Sequence, residues 1–149
     1  MPLAVVISAR TGMMMTDSQT PLVDWIVLEA ARIRLAGAFM RIYGYFRDDA
    51  EMAVSAVESA MRLTNEAQII EPAAALREAA EQLGALRLAE LAEDIEMHAR
   101  ACVETKLPPD DYVDRVAALR PLLGNTLAAL DEAVSPLIQR RSTTGGRSI

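Results

Sequence analysis

The sequence predicts an all-α protein: an up-down-up-down four-helix bundle with an additional short N-terminal helix. Apolar residues recur at three- and four-residue spacing over long stretches, and no run alternates with the two-residue period of a strand. The helical stretches are joined by short loops, which favours antiparallel neighbours. With 149 residues, 52% of them hydrophobic and 24% charged, the chain has the size and composition of one domain.

The bundle is expected at residues 23–139, between a flexible N-terminal tail at 1–22 and a disordered polar tail at 140–149. The first, short helix is predicted from its N-cap, Asp24, to about Leu35, and Gly37 bends or ends it. Its predicted inward residues are Trp25, Leu28 and Ile33. Four methionines remain alternative translation starts: Met1, Met13, Met14 and Met15.

A second helix is predicted from about Ala38 to Leu63, closed by Thr64 and Asn65. Gly44 weakens its middle, where we expect a kink. The inward face comprises Phe39, Ile42, Phe46, Val54, Val57 and Met61.

Pro72 fits near the start of a third helix, where a missing N–H is tolerated, and Gly84 ends that helix in a tight hairpin. The fourth helix, about Ala85 to Val103, is predicted to bury Leu88, Leu91, Ala92, Ile95, Ala99 and Cys102. Its acidic residues are expected on a solvated face: Glu90, Glu93, Asp94 and Glu96.

An extended connection at Leu107-Pro108-Pro109 precedes the last helix. Asp110 or Asp111 is its expected N-cap, it reaches about Gln139, and Pro121 should kink it. Its inward face is predicted to be Val113, Val116, Leu119, Leu123, Leu127, Leu130, Val134 and Leu137.

Several classes of function are disfavoured by composition. A net charge of −6 and a pI near 4.8 argue against a nucleic-acid-binding face. The apolar N-terminal run is too short to span a bilayer, and the single Cys102 is consistent with a cytoplasmic protein. We expect no metal and no cofactor, because Ile95 stands where a di-iron bundle would need Glu before His98, and one His with one Cys cannot close a zinc site.

The third helix carries the most informative motif. Residues 73–85 read A-A-A-L-R-E-A-A-E-Q-L-G-A. This stretch resembles the signature of histidine-containing phosphotransfer (HPt) domains, roughly Ala-His-x-Leu-Lys-Gly-x-x-x-x-Leu-Gly-Ala, which pass phosphoryl groups between receiver domains. Flanking residues extend the similarity to about 23–137: Asp24-Trp25, Phe39, Phe46, Asp48-Asp49, Leu88, Leu91 and Glu96. The resemblance implies a helical bundle in a two-component phosphorelay.

Two departures remove the family's chemistry. Ala74 occupies the position of the phospho-accepting histidine and offers no nucleophile. Glu78 replaces a glycine, adding bulk and negative charge where an aspartyl phosphate would approach. Arg77 conservatively replaces the lysine that assists the phosphoryl group.

The sequence therefore predicts a non-enzymatic, HPt-like signalling protein that binds a receiver or histidine kinase domain without carrying phosphate. Its predicted partner-binding residues are Ala74, Ala75, Arg77, Glu78 and Glu81. Two alternatives stay open: phosphotransfer through His98, which should lie at the edge of the core, and an unrelated scaffold that dimerises through an exposed apolar stripe. The oligomeric state is not predicted.

Overall fold

Five α-helices form the regular structure in the computed structural model, which describes residues 20–106 and 112–134. They are α1 (Trp25–Leu35), α2 (Phe39–Arg62), α3 (Ala67–Gln82), α4 (Leu86–Thr105) and α5 (Val113–Val134). A 3₁₀ turn, Ala36–Ala38, separates α1 from α2. Every regular element in these ranges is helical, so the all-α prediction is confirmed.

The four long helices surround one hydrophobic core. Helix α2 packs against α3 and α5, and α4 packs against the same two helices. Ile69, Leu88 and Leu119 are among the fully buried core side chains. Helix α1 contacts α2 and α3 and adds Leu28 and Ala31 to the core.

Two polar clusters join α2 to α5. Arg120 donates to both carboxylate oxygens of Glu58, at 2.9 and 3.0 Å. Tyr43 and Arg47 both donate to the carboxylate of Asp131. Burial, together with the hydrogen bond to Asp131, raises the pKa of Tyr43 above its usual value, so this phenol stays protonated as a donor.

The ends of α1 agree with the prediction. The Asp24 carboxylate accepts hydrogen bonds from the backbone N–H groups of Ile26 and Val27, at 3.0 and 3.3 Å, which is N-cap geometry. The helix ends at Leu35 as predicted, but the residue with the left-handed backbone is Ala36, whose φ is +47°, and not Gly37, which lies within the following 3₁₀ turn. Asn65 closes α2 with a backbone hydrogen bond to Ala60.

The predicted rotation of α1 was wrong. Leu28 is buried as expected, but Trp25 and Ile33 are 54% and 72% exposed. Because α1 has apolar residues on nearly every side, its sequence does not single out one inward face. The contacts made with α2 and α3 decide the orientation instead.

Other positions also differ from the prediction. Helix α3 begins at Ala67, so Pro72 lies inside it and leaves the Gln68 carbonyl without its usual i+4 donor. Val113 is exposed, and Leu91 and Ile42 are only half-buried. Helices α2 and α5 continue through Gly44 and Pro121, respectively, so neither residue ends its helix, and the kinks expected there stay predictions.

Some predictions lie outside the described residues: the connection at 107–109, the N-cap at Asp110 or Asp111, Leu137 and the helix end near Gln139. The same holds for residues 1–19 and for the C-terminal tail at 140–149. Leu22, assigned to the N-terminal tail by the sequence, packs partly buried against the core.

Candidate docking surface

The predicted binding residues lie on the side of α3 away from the core. Ile69, Ala73, Leu76 and Ala80 are buried on the inner side. On the outer side Ala75, Glu78 and Glu81 are exposed, whereas Ala74 and Arg77 are half-buried. We call Ala74, Ala75, Arg77, Glu78 and Glu81 the α3 face. It combines two small side chains with two exposed carboxylates.

Arg77 is held against α4 and is not a free cation on this face. Its Nε donates to Oε1 of Glu96 at 3.2 Å, and its Nη1 lies 3.6 Å from Oε1 of Glu81. The hydrogen bond to Glu96 raises the pKa of Arg77 above its usual value. With this side chain engaged, the exposed charge of the α3 face comes from Glu78 and Glu81.

Glu96 was predicted to be solvated, and that prediction was wrong: the residue is only 8% exposed. Oε2 accepts hydrogen bonds from Nε and Nη2 of Arg100, at 3.2 and 3.0 Å, and Oε1 accepts the bond from Arg77. A carboxylate can be buried when paired donors replace its hydration. The signal in the sequence was the i,i+4 spacing to Arg100, beside the buried positions Ala92 and Ala99.

Removal of this carboxylate should loosen the contact between α3 and α4. We expect Glu96→Ala to lower the free energy of unfolding by about 1–3 kcal/mol, because three charge-assisted hydrogen bonds are lost. Glu93→Ala, an exposed glutamate of the same helix, should change it by less than about 0.5 kcal/mol. Urea denaturation of both variants tests this, and equal effects would contradict the role given to Glu96.

The hairpin after α3 fixes the end of the α3 face. Gly84 has φ +78°, and its carbonyl accepts a hydrogen bond of 2.7 Å from the backbone N–H of Asp24. A Cβ at Gly84 would lie 2.6 Å from the Asp24 carbonyl oxygen. Glycine is therefore required both for the left-handed backbone and for the close approach of α1. The predicted hairpin at this residue is confirmed.

His98 lies on α4 and is half-buried, as expected for a residue at the edge of the core. Its Nδ1 is 2.8 Å from the Asp94 carbonyl oxygen, so this nitrogen carries the proton and donates. The ring centroid is 5.9 Å from that of Tyr112, a fully buried residue that the sequence did not indicate. The imidazole is thus held by its own helix and by the aromatic ring at the start of α5.

Two grooves lie between helices of the bundle, and one of them borders the α3 face. A shallow one between α2 and α3 is lined by Ala56, Leu63, Pro72 and Ala75, so it continues the α3 face. A second, of about 430 Å³, lies between α4 and α5 and contains Leu91 and Leu122 among charged residues. Neither brings together a nucleophile with a histidine base.

Within residues 20–106 and 112–134, no three His, Cys, Asp or Glu side chains cluster as metal ligands. None of the helices in the described part of the chain is long and apolar enough to cross a membrane. Comparison of the chain with family models, curated proteins and solved structures finds no match in any of the three.

Proposed function

We propose that the chain is a non-catalytic protein of the HPt type, an up-down-up-down bundle that binds a receiver or histidine kinase domain through the α3 face without carrying phosphate. In this role it acts as an adaptor, sink or competitor in cytoplasmic two-component signalling. One observation supports the proposal most strongly. The residues that agree with the HPt motif are buried in the core, and the two residues that depart from it lie on the outer side of α3.

The residues that agree with the motif have structural roles in this chain: they form the core side of α3 and the turn that follows it. Ala73, Leu76 and Leu83 are buried, and Gly84 makes the left-handed corner against α1. The two positions that depart from the motif, Ala74 and Glu78, lie on the outer side. Close packing of consecutive long helices through short turns favours the antiparallel topology of the proposal.

The charges and side chains of the α3 face favour docking of a partner domain over transfer of a phosphoryl group. A methyl group at Ala74 cannot accept a phosphoryl group, and Glu78 and Glu81 repel one that approaches. The guanidinium of Arg77 is hydrogen-bonded to Glu96 and also lies 3.6 Å from Glu81, so its charge is shared between two carboxylates and only partly offsets that repulsion. The small side chains of Ala74 and Ala75 still permit close approach of a partner helix.

We expect the purified chain to take up no acid-labile phosphate from acetyl phosphate or from a phosphorylated receiver. His98 is the alternative acceptor, so the assay is run on the parent protein and on His98→Ala. Label on the parent that disappears in His98→Ala would replace this proposal with active phosphotransfer. A pull-down against the organism's receiver domains identifies the partner.

A further inference from the structure

The chain that leads into α1 is fixed along the first turns of α4. The backbone N–H of Asp24 donates to the Gly84 carbonyl oxygen at 2.7 Å, at the corner before α4. Four residues earlier, the Thr20 hydroxyl donates to Oε2 of Glu90 at 3.3 Å, one turn inside α4. Residues 1–19 therefore join the bundle beside Glu90.

Glu90 lines the α4–α5 groove, the space of about 430 Å³ between these two helices. Its apolar residues are Leu91 and Leu122, which are half-buried against the core, and the exposed Ala118. Apolar surface of this kind is stabilised when further apolar side chains cover it. The charged residues of the groove are three carboxylates and two arginines: Glu90, Asp94, Asp114, Arg87 and Arg115.

The residues that precede Thr20 have a composition that suits this groove. Residues 1–16 are largely apolar, include three consecutive methionines at 13–15, and contain Arg10 as their only charged side chain. Methionine is long and unbranched, so it fills irregular apolar gaps. The one positive charge of this segment complements a groove in which carboxylates outnumber arginines.

The methionines at 13–15 also lie within reach of the groove. Met15 precedes Thr20 by five positions, and five residues of extended chain span about 17 Å. The groove follows α5 from Asp114 to Asn125, which is about 16 Å of helix. Because the hydrogen bond of Thr20 fixes one end of the segment beside the groove, docking closes only a short loop and costs little chain entropy.

We propose that the methionines at 13–15 dock into the α4–α5 groove of their own chain and cover its apolar residues. The segment that the sequence assigns to a flexible tail then forms part of the bundle surface. Segment and groove belong to one molecule, so the contact does not depend on protein concentration. The groove shares no residue with the α3 face, so this docking and partner binding succeed or fail independently.

Limited proteolysis with trypsin tests the docking, because Arg10 is the cleavage site next to the methionines. A protease binds several residues on each side of the cut in extended form, so a docked segment is cut only after it leaves the groove. The parent should lose residues 1–10, as followed by mass spectrometry, at least about tenfold more slowly than a synthetic peptide of residues 1–19 is cut.

Two changes, one on each side of the contact, should release the segment. Ala118→Trp places an indole in the groove, and the combined Met13→Ser, Met14→Ser and Met15→Ser variant removes the docking side chains without touching the bundle. Each should raise the rate of cleavage after Arg10 about tenfold, toward that of the peptide. Ala117→Trp is the matched control, because Ala117 is an exposed alanine of α5 that does not line the groove.

Cleavage of the parent as fast as the peptide, or equal acceleration by the two Trp variants, overturns the proposal. Release by the serine substitutions but not by Ala118→Trp also overturns it, since the segment then docks elsewhere. Protection that increases between about 1 μM and 100 μM protein would mean that the segment enters the groove of a second copy, and the intramolecular contact would be wrong.

Discussion

Replacing Gly84 with alanine should lower the free energy of unfolding by about 2–5 kcal/mol. The left-handed φ of +78° costs a residue with a Cβ about 1–2 kcal/mol. The new methyl group would also lie 2.6 Å from the Asp24 carbonyl oxygen, and overpacking of this kind costs about 1–3 kcal/mol. The clash is with backbone, so it is relieved only by moving the start of α1.

The matched control is Gly124→Ala in α5. A Cβ at Gly124 meets no atom within 4 Å, and the residue lies inside a helix. Alanine there should raise the free energy of unfolding by about 0.5–1 kcal/mol. Chemical denaturation of both variants measures the difference. The account of the hairpin is wrong if Gly84→Ala is as stable as the parent.

Leucine truncations in α4 should differ sharply although they are one turn apart. Leu88 is fully buried, so Leu88→Ala should cost about 2–5 kcal/mol through lost burial and the cavity left behind. Leu91 is half-buried beside the α4–α5 groove, and Leu91→Ala should cost only about 1–2 kcal/mol. Leu127→Ala, at a buried position of α5, should fall in the larger range.

These free-energy changes are measured from the shift of the denaturant midpoint, provided that the dependence of the unfolding free energy on denaturant concentration stays the same. The two α4 variants have the same chemistry, so their difference reports burial at positions 88 and 91. Equal losses for Leu88→Ala and Leu91→Ala would mean that α4 is rotated relative to the core described above.

The sequence predicted the helices better than their orientation. Caps and breaks are local signals, so Asp24, Asn65 and Gly84 marked ends that the structure confirms. In α2, where apolar and polar residues alternate at a clear helical period, the sequence pattern also predicted most of the residues that are buried. The predicted inward face of α1 was wrong because its apolar residues lie on every side of the helix. Only tertiary contacts determine that Leu28, and not Ile33, faces the core.

Buried polar groups were missed for a different reason. Glu96 and Tyr43 are buried because partners on other helices, Arg77 and Asp131, satisfy them. These cross-helix pairings join residues that are distant in the chain, so no spacing rule indicates them. For Glu96, the sequence shows only the i,i+4 partner Arg100 on the same helix. For the α3 face, helical periodicity identified which residues point outward. It could not show that Arg77, a residue of this face, is hydrogen-bonded to Glu96 of α4.

Titration of the protein with the receiver or histidine kinase domain that it is proposed to bind, comparing the parent with Ala75→Trp, tests the central claim most directly. Ala75 is an exposed residue of the α3 face, so a bulky indole should block close approach without disturbing the core. We expect Ala75→Trp to weaken binding at least about tenfold, or 1.4 kcal/mol. Glu78→Gly should strengthen it, because a side chain and a negative charge leave the contact.

Ala117→Trp makes the same substitution at an exposed residue of α5, a helix that packs, like α3, between α2 and α4. The account predicts that this control binds the receiver as tightly as the parent, while Ala75→Trp does not. Parent-like affinity for Ala75→Trp, with the receiver bound, would contradict docking at the α3 face.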